Sequence, residues 1–207
     1  MNRPPVSIVA LLSAAALFVG CAGGNPFKTA QTDPAAPVAL NAEPAAEPTG
    51  KSAVAVLRPS RNAATQPAAN NVSGTVTFTD AGEGTVKVVA DVVGLRPNTE
   101  HGFHVHENGD LSAPDLSSAG GHFNPAGHPH GAGGDKHAHA GDMGNLKADG
   151  AGKAHLELTL PNVTLGSGQP NDLLGKAVIV HGKADDLRSQ PAGDAGPRIA
   201  GGVIEGK

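Results

Sequence analysis

Eight of the ten histidines in this 207-residue sequence fall between residues 101 and 139. Scattered core or surface histidines do not cluster in this way, and imidazole is the commonest protein ligand for a transition metal. On an extended strand, residues two apart share a face. His104 and His106 therefore point one way, Phe103 and Val105 point the other, and the histidine pair can chelate one ion. Further on, His122, His130, His139 and Asp142 lie in a glycine-rich stretch able to fold back on itself. Three nitrogens and one carboxylate oxygen satisfy tetrahedral zinc, and imidazole suits copper equally. His181 ends the apolar run 177–180 and is available to complete a copper site. His128 and His137 fall between these positions and read as solvated side chains, and His155 faces solvent on its own strand. His101 shares the parity of Phe103 and reads as a structural histidine. A histidine-rich loop that sequesters metal without catalysis is the rival reading of the cluster.

Strands must hold these residues. Val72, Val76 and Phe78 alternate with Thr75, Thr77 and Thr79, and Val86, Val88, Ala90 and Val92 share one parity against Lys87 and Asp91. Ala154, Leu156, Leu158 and Leu160 repeat the pattern against His155, Glu157 and Thr159. Such alternation marks half-buried strands. Turn chemistry separates them at Asp80-Ala81-Gly82, Arg96-Pro97-Asn98 and Asp149-Gly150. Strands are expected near 53–57, 72–79, 85–93, 101–107, 153–160, 176–182 and 198–204, with no amphipathic helix of useful length, so the fold class is all-β, an antiparallel sandwich or barrel. Residues 108–145 and 183–197 break the rhythm and are rich in Gly, Pro, Asp and Ser. Long connections of this kind are usually functional. Residues 58–71 read as a plainer hairpin loop.

The formal net charge of -4 is too mild for a nucleic-acid partner. Residues 1–20 carry Arg3 and then an apolar run from Val6 to Val19, too short for a membrane span and typical of an export signal. The run ends Leu17-Phe18-Val19-Gly20-Cys21, which resembles a bacterial lipobox, so Cys21 is the expected lipidation site. It is the only cysteine, and a thioether-linked cysteine is harmless where a free exported thiol is not. Residues 21–50, with five Pro and eight Ala, bury too little to fold and read as a tether. The expected organisation is signal peptide 1–20, tether 21–50 and folded domain 51–207. The protein is expected to be exported and lipid-anchored to a bacterial membrane, facing the periplasm or the cell surface. Monomer and homodimer both stay open.

The segments HGFHVHENGD, SAGGHFNPAGHPHG, HAHAGDMGNL, VIVHGKADDL and GDAGPRIAGGVI resemble, in order and spacing, the signature segments of copper-zinc superoxide dismutases. The resemblance covers essentially all of 53–204. It implies an eight-stranded Greek-key antiparallel β-sandwich or barrel with two long functional loops, a fold class that includes this family. It also implies copper held by His104, His106, His122 and His181, zinc held by His122, His130, His139 and Asp142, and His122 as a bridge between them. By the same resemblance Asp185 links a copper histidine to a zinc histidine, and Arg198 is the active-site arginine that docks superoxide anion. Lys136, Lys183 and Arg188 are candidates to steer the anion. A metallochaperone would add a Cys-x-x-Cys motif, which is absent, and all four zinc positions are filled. A non-catalytic copper or zinc buffer on the same fold is the alternative to the enzyme. The family's disulfide positions hold Leu111 and Gly201 here, which leaves two readings open: Leu111 packs into the space over Gly201, or the disulfide is simply lost and Leu111 is exposed.

Overall fold

The structure, a computed structural model, describes residues 50–62 and 71–207. The expected export signal, Cys21 and nearly all of the tether lie outside the described residues.

Eight strands follow in order: β1 Ser52–Pro59, β2 Ser73–Gly82, β3 Thr85–Val93, β4 Glu100–His106, β5 Asp142–Lys147, β6 Ala154–Pro161, β7 Ala177–His181 and β8 Arg198–Gly206. All pair antiparallel in the spatial order β5-β4-β7-β8-β1-β2-β3-β6, a nearly closed barrel. The chain leaves β3 and enters β4 across the barrel, so β4 lies between β5 and β7 and β3 lies between β2 and β6. Strand β8 joins the two halves, pairing with β7 through Arg198–Val203 and with β1 through Ala200–Gly206.

The alternation read from the sequence decides which side chains enter the core. Val76 and Phe78 of β2, Val86, Val88 and Ala90 of β3, Phe103 and Val105 of β4, and Val178 and Val180 of β7 are all fully buried. Each such valine or phenylalanine side chain removed from water contributes about 1.5–3 kcal/mol. A second, smaller cluster of Leu116, Ala119, Ala177 and Ile179, with Leu111 packed against it, anchors the start of the β4–β5 connection on β7.

Two details differ from the sequence expectation. Strand β5 begins inside the stretch 108–145, expected to be loop, and runs two residues past it. Its buried Met143 and Leu146 are three apart, because pairing with β4 slips by one residue between Gly102 and His104, and this hides the strand's alternation. The β2–β3 turn falls at Glu83 and Gly84, both at positive φ, and Asp80-Ala81-Gly82 instead forms an irregularity within β2. There the Asp80 carboxylate accepts from the Gly82 N–H at 3.0 Å. Of the two readings of Leu111, packing over Gly201 agrees with the structure: Leu111 Cδ2 lies 3.4 Å from where a Gly201 Cβ would stand, and Leu111 is half-buried.

Candidate metal centre

The site is built against the outer face of β4. Phe103 and Val105 enter the core, so His104 and His106 must face the two long connections. Residues 121–123 run beside β4 like a short strand, with Phe123 N–H donating to Val105 O at 2.8 Å and Glu107 N–H to Gly121 O at 3.0 Å. That pairing sets His122 opposite His106. Gly141 closes the same seam from the other side, accepting from Val105 N–H at 2.8 Å. A Cβ on Gly141 would stand 2.3 Å from Val105 O, so only glycine allows the approach. The one-residue slip in the β4–β5 pairing falls between Asp142 and Asn145, so Asp142 pairs directly opposite His104 at the histidine end of the strand.

Two groups of four result. Ligand atoms of His104, His106, His122 and His181 lie within 4.8 Å of one another, and so do those of His122, His130, His139 and Asp142. All seven residues are buried. His122 belongs to both groups. Its Nδ1 lies 2.9 Å from Asp142 Oδ1 and 3.5 Å from His139 Nδ1. Its Nε2, on the other edge of the ring, is buried without a hydrogen-bond partner. In the first group, His106 Nε2 and His181 Nε2 are 3.3 Å apart and the His104 and His122 ring centres are 4.0 Å apart.

These groups fit metal ions. Buried polar atoms are normally hydrogen-bonded, yet His104 Nδ1, His122 Nε2 and His130 Nδ1 are not. His130 Nδ1 lies 3.0 Å from Asp142 Oδ2, but the two are not aligned as donor and acceptor. Lone pairs converging on a common point are what a cation satisfies. A tetrahedral zinc with bonds of about 2.0–2.1 Å sets its donors about 3.3–3.4 Å apart. The contacts of Asp142 with His122, His130 and His139 and of His122 with His139, at 2.9–3.5 Å, bracket that spacing.

The electrostatics favour the ligating forms. Burial pushes the His104 imidazole down to about 4 and the His181 imidazole down to about 3, and drives His106 lower still. Each is thus neutral at physiological pH, as a metal ligand must be. Burial opposes ionisation of Asp142, but hydrogen bonds from His122, His139 and the Gly131 N–H outweigh it and hold the carboxyl well below the usual range. Asp185 is held down in the same way by His104 and His130.

Asp185 spans the two groups from behind. Its Oδ2 lies 2.8 Å from His104 Nε2 and its Oδ1 2.9 Å from His130 Nε2, which leaves Nδ1 of both rings free to face inward. Gly193 makes room for this carboxylate: it sits at positive φ, and a Cβ there would stand 1.8 Å from Asp185 Oδ1. Arg198 opens β8 and is half-buried. It donates to Leu116 O at 2.7 Å and Gly120 O at 2.6 Å. The Gly120 carbonyl also accepts from His106 Nδ1 at 3.0 Å. The guanidinium is therefore tied to the first group through one shared acceptor.

Other histidines fall outside the two groups. His101 is buried between Thr99 Oγ1 and His181 O, each at 2.8 Å, and so helps carry the strand end that holds His181. His137 is exposed, whereas His128 is half-buried and bonded to Ala138 O at 3.2 Å, so the solvated reading holds only for His137. Lys136, Lys183 and Arg188 line neither the cleft that opens on His181 nor the one that opens on Arg198. Two carboxamides that the sequence did not single out sit behind the site. Asn145 accepts from Asp185 N–H at 2.8 Å and donates to Asp185 O at 2.9 Å. Gln190 bonds the main chain of His130 in the same reciprocal way.

Residues 72–204 match the family described as copper/zinc superoxide dismutase (SODC). Superoxide dismutase [Cu-Zn] 2 of Aquifex aeolicus is 44% identical over 122 residues, covering 58% of this chain and 71% of that protein. Superoxide dismutase [Cu-Zn] of Cordyceps militaris is 44% identical over 140 residues, covering 64% of this chain and 89% of that one. Among solved structures, the clock protein EA4 is similar with a TM-score of 0.62 at 37% identity, over 74% of this chain and 93% of that chain. A double mutant of a superoxide-dismutase-like protein from Bacillus subtilis is similar with a TM-score of 0.62 at 32% identity, over 73% of this chain and 96% of that chain.

Proposed function

This chain belongs to the copper/zinc superoxide dismutase family, and we propose that it disproportionates superoxide outside the cytoplasm at the group formed by His104, His106, His122 and His181. It is a superoxide dismutase, and its cofactors are copper and zinc. His104, His106, His122 and His181 would hold copper, and His122, His130, His139 and Asp142 would hold zinc. The observation that carries this reading is the membership of one buried imidazole, His122, in both groups. Copper, when bound, supplies the one-electron couple by which one superoxide is oxidised to dioxygen and a second, with two protons, is reduced to hydrogen peroxide.

The chain's own residues do the rest. Arg198 spends two of its five N–H groups on the Leu116 and Gly120 carbonyls, which fixes the guanidinium plane and leaves the others to bind an anion by charge-assisted hydrogen bonds. Burial lowers its pKa and Asp115 partly offsets this, yet it stays charged at neutral pH. His122 Nε2 has no hydrogen-bond partner within the protein, so whenever its lone pair is not engaged as a ligand it can hold a proton for the reduced anion. Asp142 holds the opposite edge of that ring still. Asp185 fixes the rings of His104 and His130 together, so the two groups keep their spacing as one unit.

Export is part of the same reading. Residues 1–20 would be removed, Cys21 would carry the lipid, residues 21–50 would tether the domain, and 51–207 would work at a bacterial membrane facing the periplasm or the cell surface. The Gly20-Cys21 junction after a short apolar run supports it. Rapid dismutation by the copper- and zinc-loaded protein, abolished by chelation, tests the enzyme reading; slow turnover with tight metal binding would favour a metal buffer. Recovery of Cys21→Ser from the membrane fraction in the parent's amount would refute the anchor.

A further inference from the structure

Gln190 lies in the β7–β8 connection, and its side-chain amide meets the main chain of His130 in the β4–β5 connection. Its Oε1 accepts from His130 N–H at 2.8 Å. Its Nε2 donates to His130 O at 3.0 Å and to Arg188 O at 3.1 Å. One donor and one acceptor meet the two main-chain groups of a single residue, as a neighbouring strand would. Gln190 is exposed as a residue, yet this pair of hydrogen bonds constrains His130 on both sides of its Cα. Asn145 treats Asp185 in the same manner. Asp185 in turn reaches His130 Nε2 at 2.9 Å. The contacts form a circuit: Asn145 on β5 holds the Asp185 main chain, Asp185 holds the His130 ring, and Gln190, from the same connection as Asp185, holds the His130 main chain.

We infer that Gln190 is a positioning residue for the zinc group, fixing the His130 backbone so that Nδ1 faces Asp142 while Nε2 stays on Asp185. Clamped at ring and backbone, His130 cannot swing away from the other ligands without breaking three hydrogen bonds. The inference rests on the assignment of zinc to His122, His130, His139 and Asp142. A surface amide that merely ordered its own connection would change the stability of the metal-free protein and leave zinc retention alone.

The test is zinc release from the fully loaded protein to a chromogenic chelator, with copper content and the thermal midpoint of the metal-free protein measured alongside. Partners one layer behind the ligands typically alter metal affinity about 10- to 100-fold. Gln190→Ala should speed zinc release by that factor, with copper retained and the metal-free midpoint unchanged. Gln190→Glu keeps an acceptor for the His130 N–H but loses the donor to its carbonyl, so its release rate should fall between the two. Release from Gln190→Ala at the parent rate, or a rate that rises only in step with a lower metal-free midpoint, overturns the inference. A parent protein that takes up no zinc would overturn the ligand assignment beneath it, and this inference with it.

Discussion

Compare strands β2 and β3 with the connection from residue 107 to residue 141. The strands pair without a break from Ser73↔Val93 to Asp80↔Val86, and between them they bury Val76, Phe78, Val86, Val88 and Ala90. Their cohesion is apolar burial plus a ladder, and neither needs anything from outside the chain. The connection is held by short polar clasps instead. Asp110 accepts from the Ser112 N–H, Asp115 from the Ser117 N–H and Asp135 from the His137 N–H, and Asn124 bonds His128 at both its N–H and its carbonyl. At the connection's inner face, the nitrogens His122 Nε2 and His130 Nδ1 are buried without hydrogen bonds. The sheet is complete as a folded object, whereas the connection is complete only with ions among its histidines.

That contrast predicts what metal removal should do, and this is the largest effect expected. In chelated protein, hydrogen exchange at Phe123, Gly131 and Gly141 should accelerate by orders of magnitude while Val76 and Val88 keep their protection. Equal acceleration in both regions would show that the sheet depends on metal as much as the connection does. Arg198→Glu should lower activity about 10- to 100-fold by placing negative charge where the anion arrives, with copper content unchanged. Parent-level activity would remove Arg198 from the approach.

A smaller effect tests the seam where the connection meets the sheet. With no cysteine among the described residues, this seam depends on Leu111, Leu116 and Ile179 meeting over Gly201. Half-buried Leu111 should cost about 1–2 kcal/mol on truncation to alanine, below the 2–5 of a fully buried leucine. Reductant should change nothing. No loss of stability in Leu111→Ala would show that the contact carries no weight.

The smallest effect lies on the sheet's solvent face. His155 is exposed and bonded to Asp91 at 2.7 Å, which raises its pKa, with Glu157 adding to the shift. The folded state then holds the proton more tightly than the unfolded chain. The gain is full below the ordinary value of 6.5 and is lost as pH rises through the folded pKa. His155→Gln should therefore lower the thermal midpoint slightly at pH 5.5 and not at pH 9. A deficit of equal size at both pH values would exclude the ion pair as its cause.

Much of this was legible in the residues. Period-two alternation located β2, β3 and β6 because each presents one face to the core, and the spacing of His104, His106, His122, His130 and His139 announced a metal-binding region. Strand β5 was not legible, since the slip opposite Gly102 and His104 and the positive φ of Gly144 break its alternation. Gln190 and Asn145 were invisible for a different reason. A carboxamide carries no charge and no periodicity, and its significance lies in which backbone it meets across the fold. Lys136 and Lys183 show the converse: charge is legible in sequence, but its position relative to a cleft is not.

One imidazole serves two metal groups, and the variant His122→Ala tests this most directly. Copper and zinc content should be measured together with the copper absorption spectrum, with and without added zinc. The variant should lose affinity for both metals, and its copper spectrum should no longer respond to zinc, while the far-ultraviolet circular dichroism of the sheet stays intact. Parent levels of both metals, with a copper spectrum that still shifts when zinc is added, would contradict the shared role of His122.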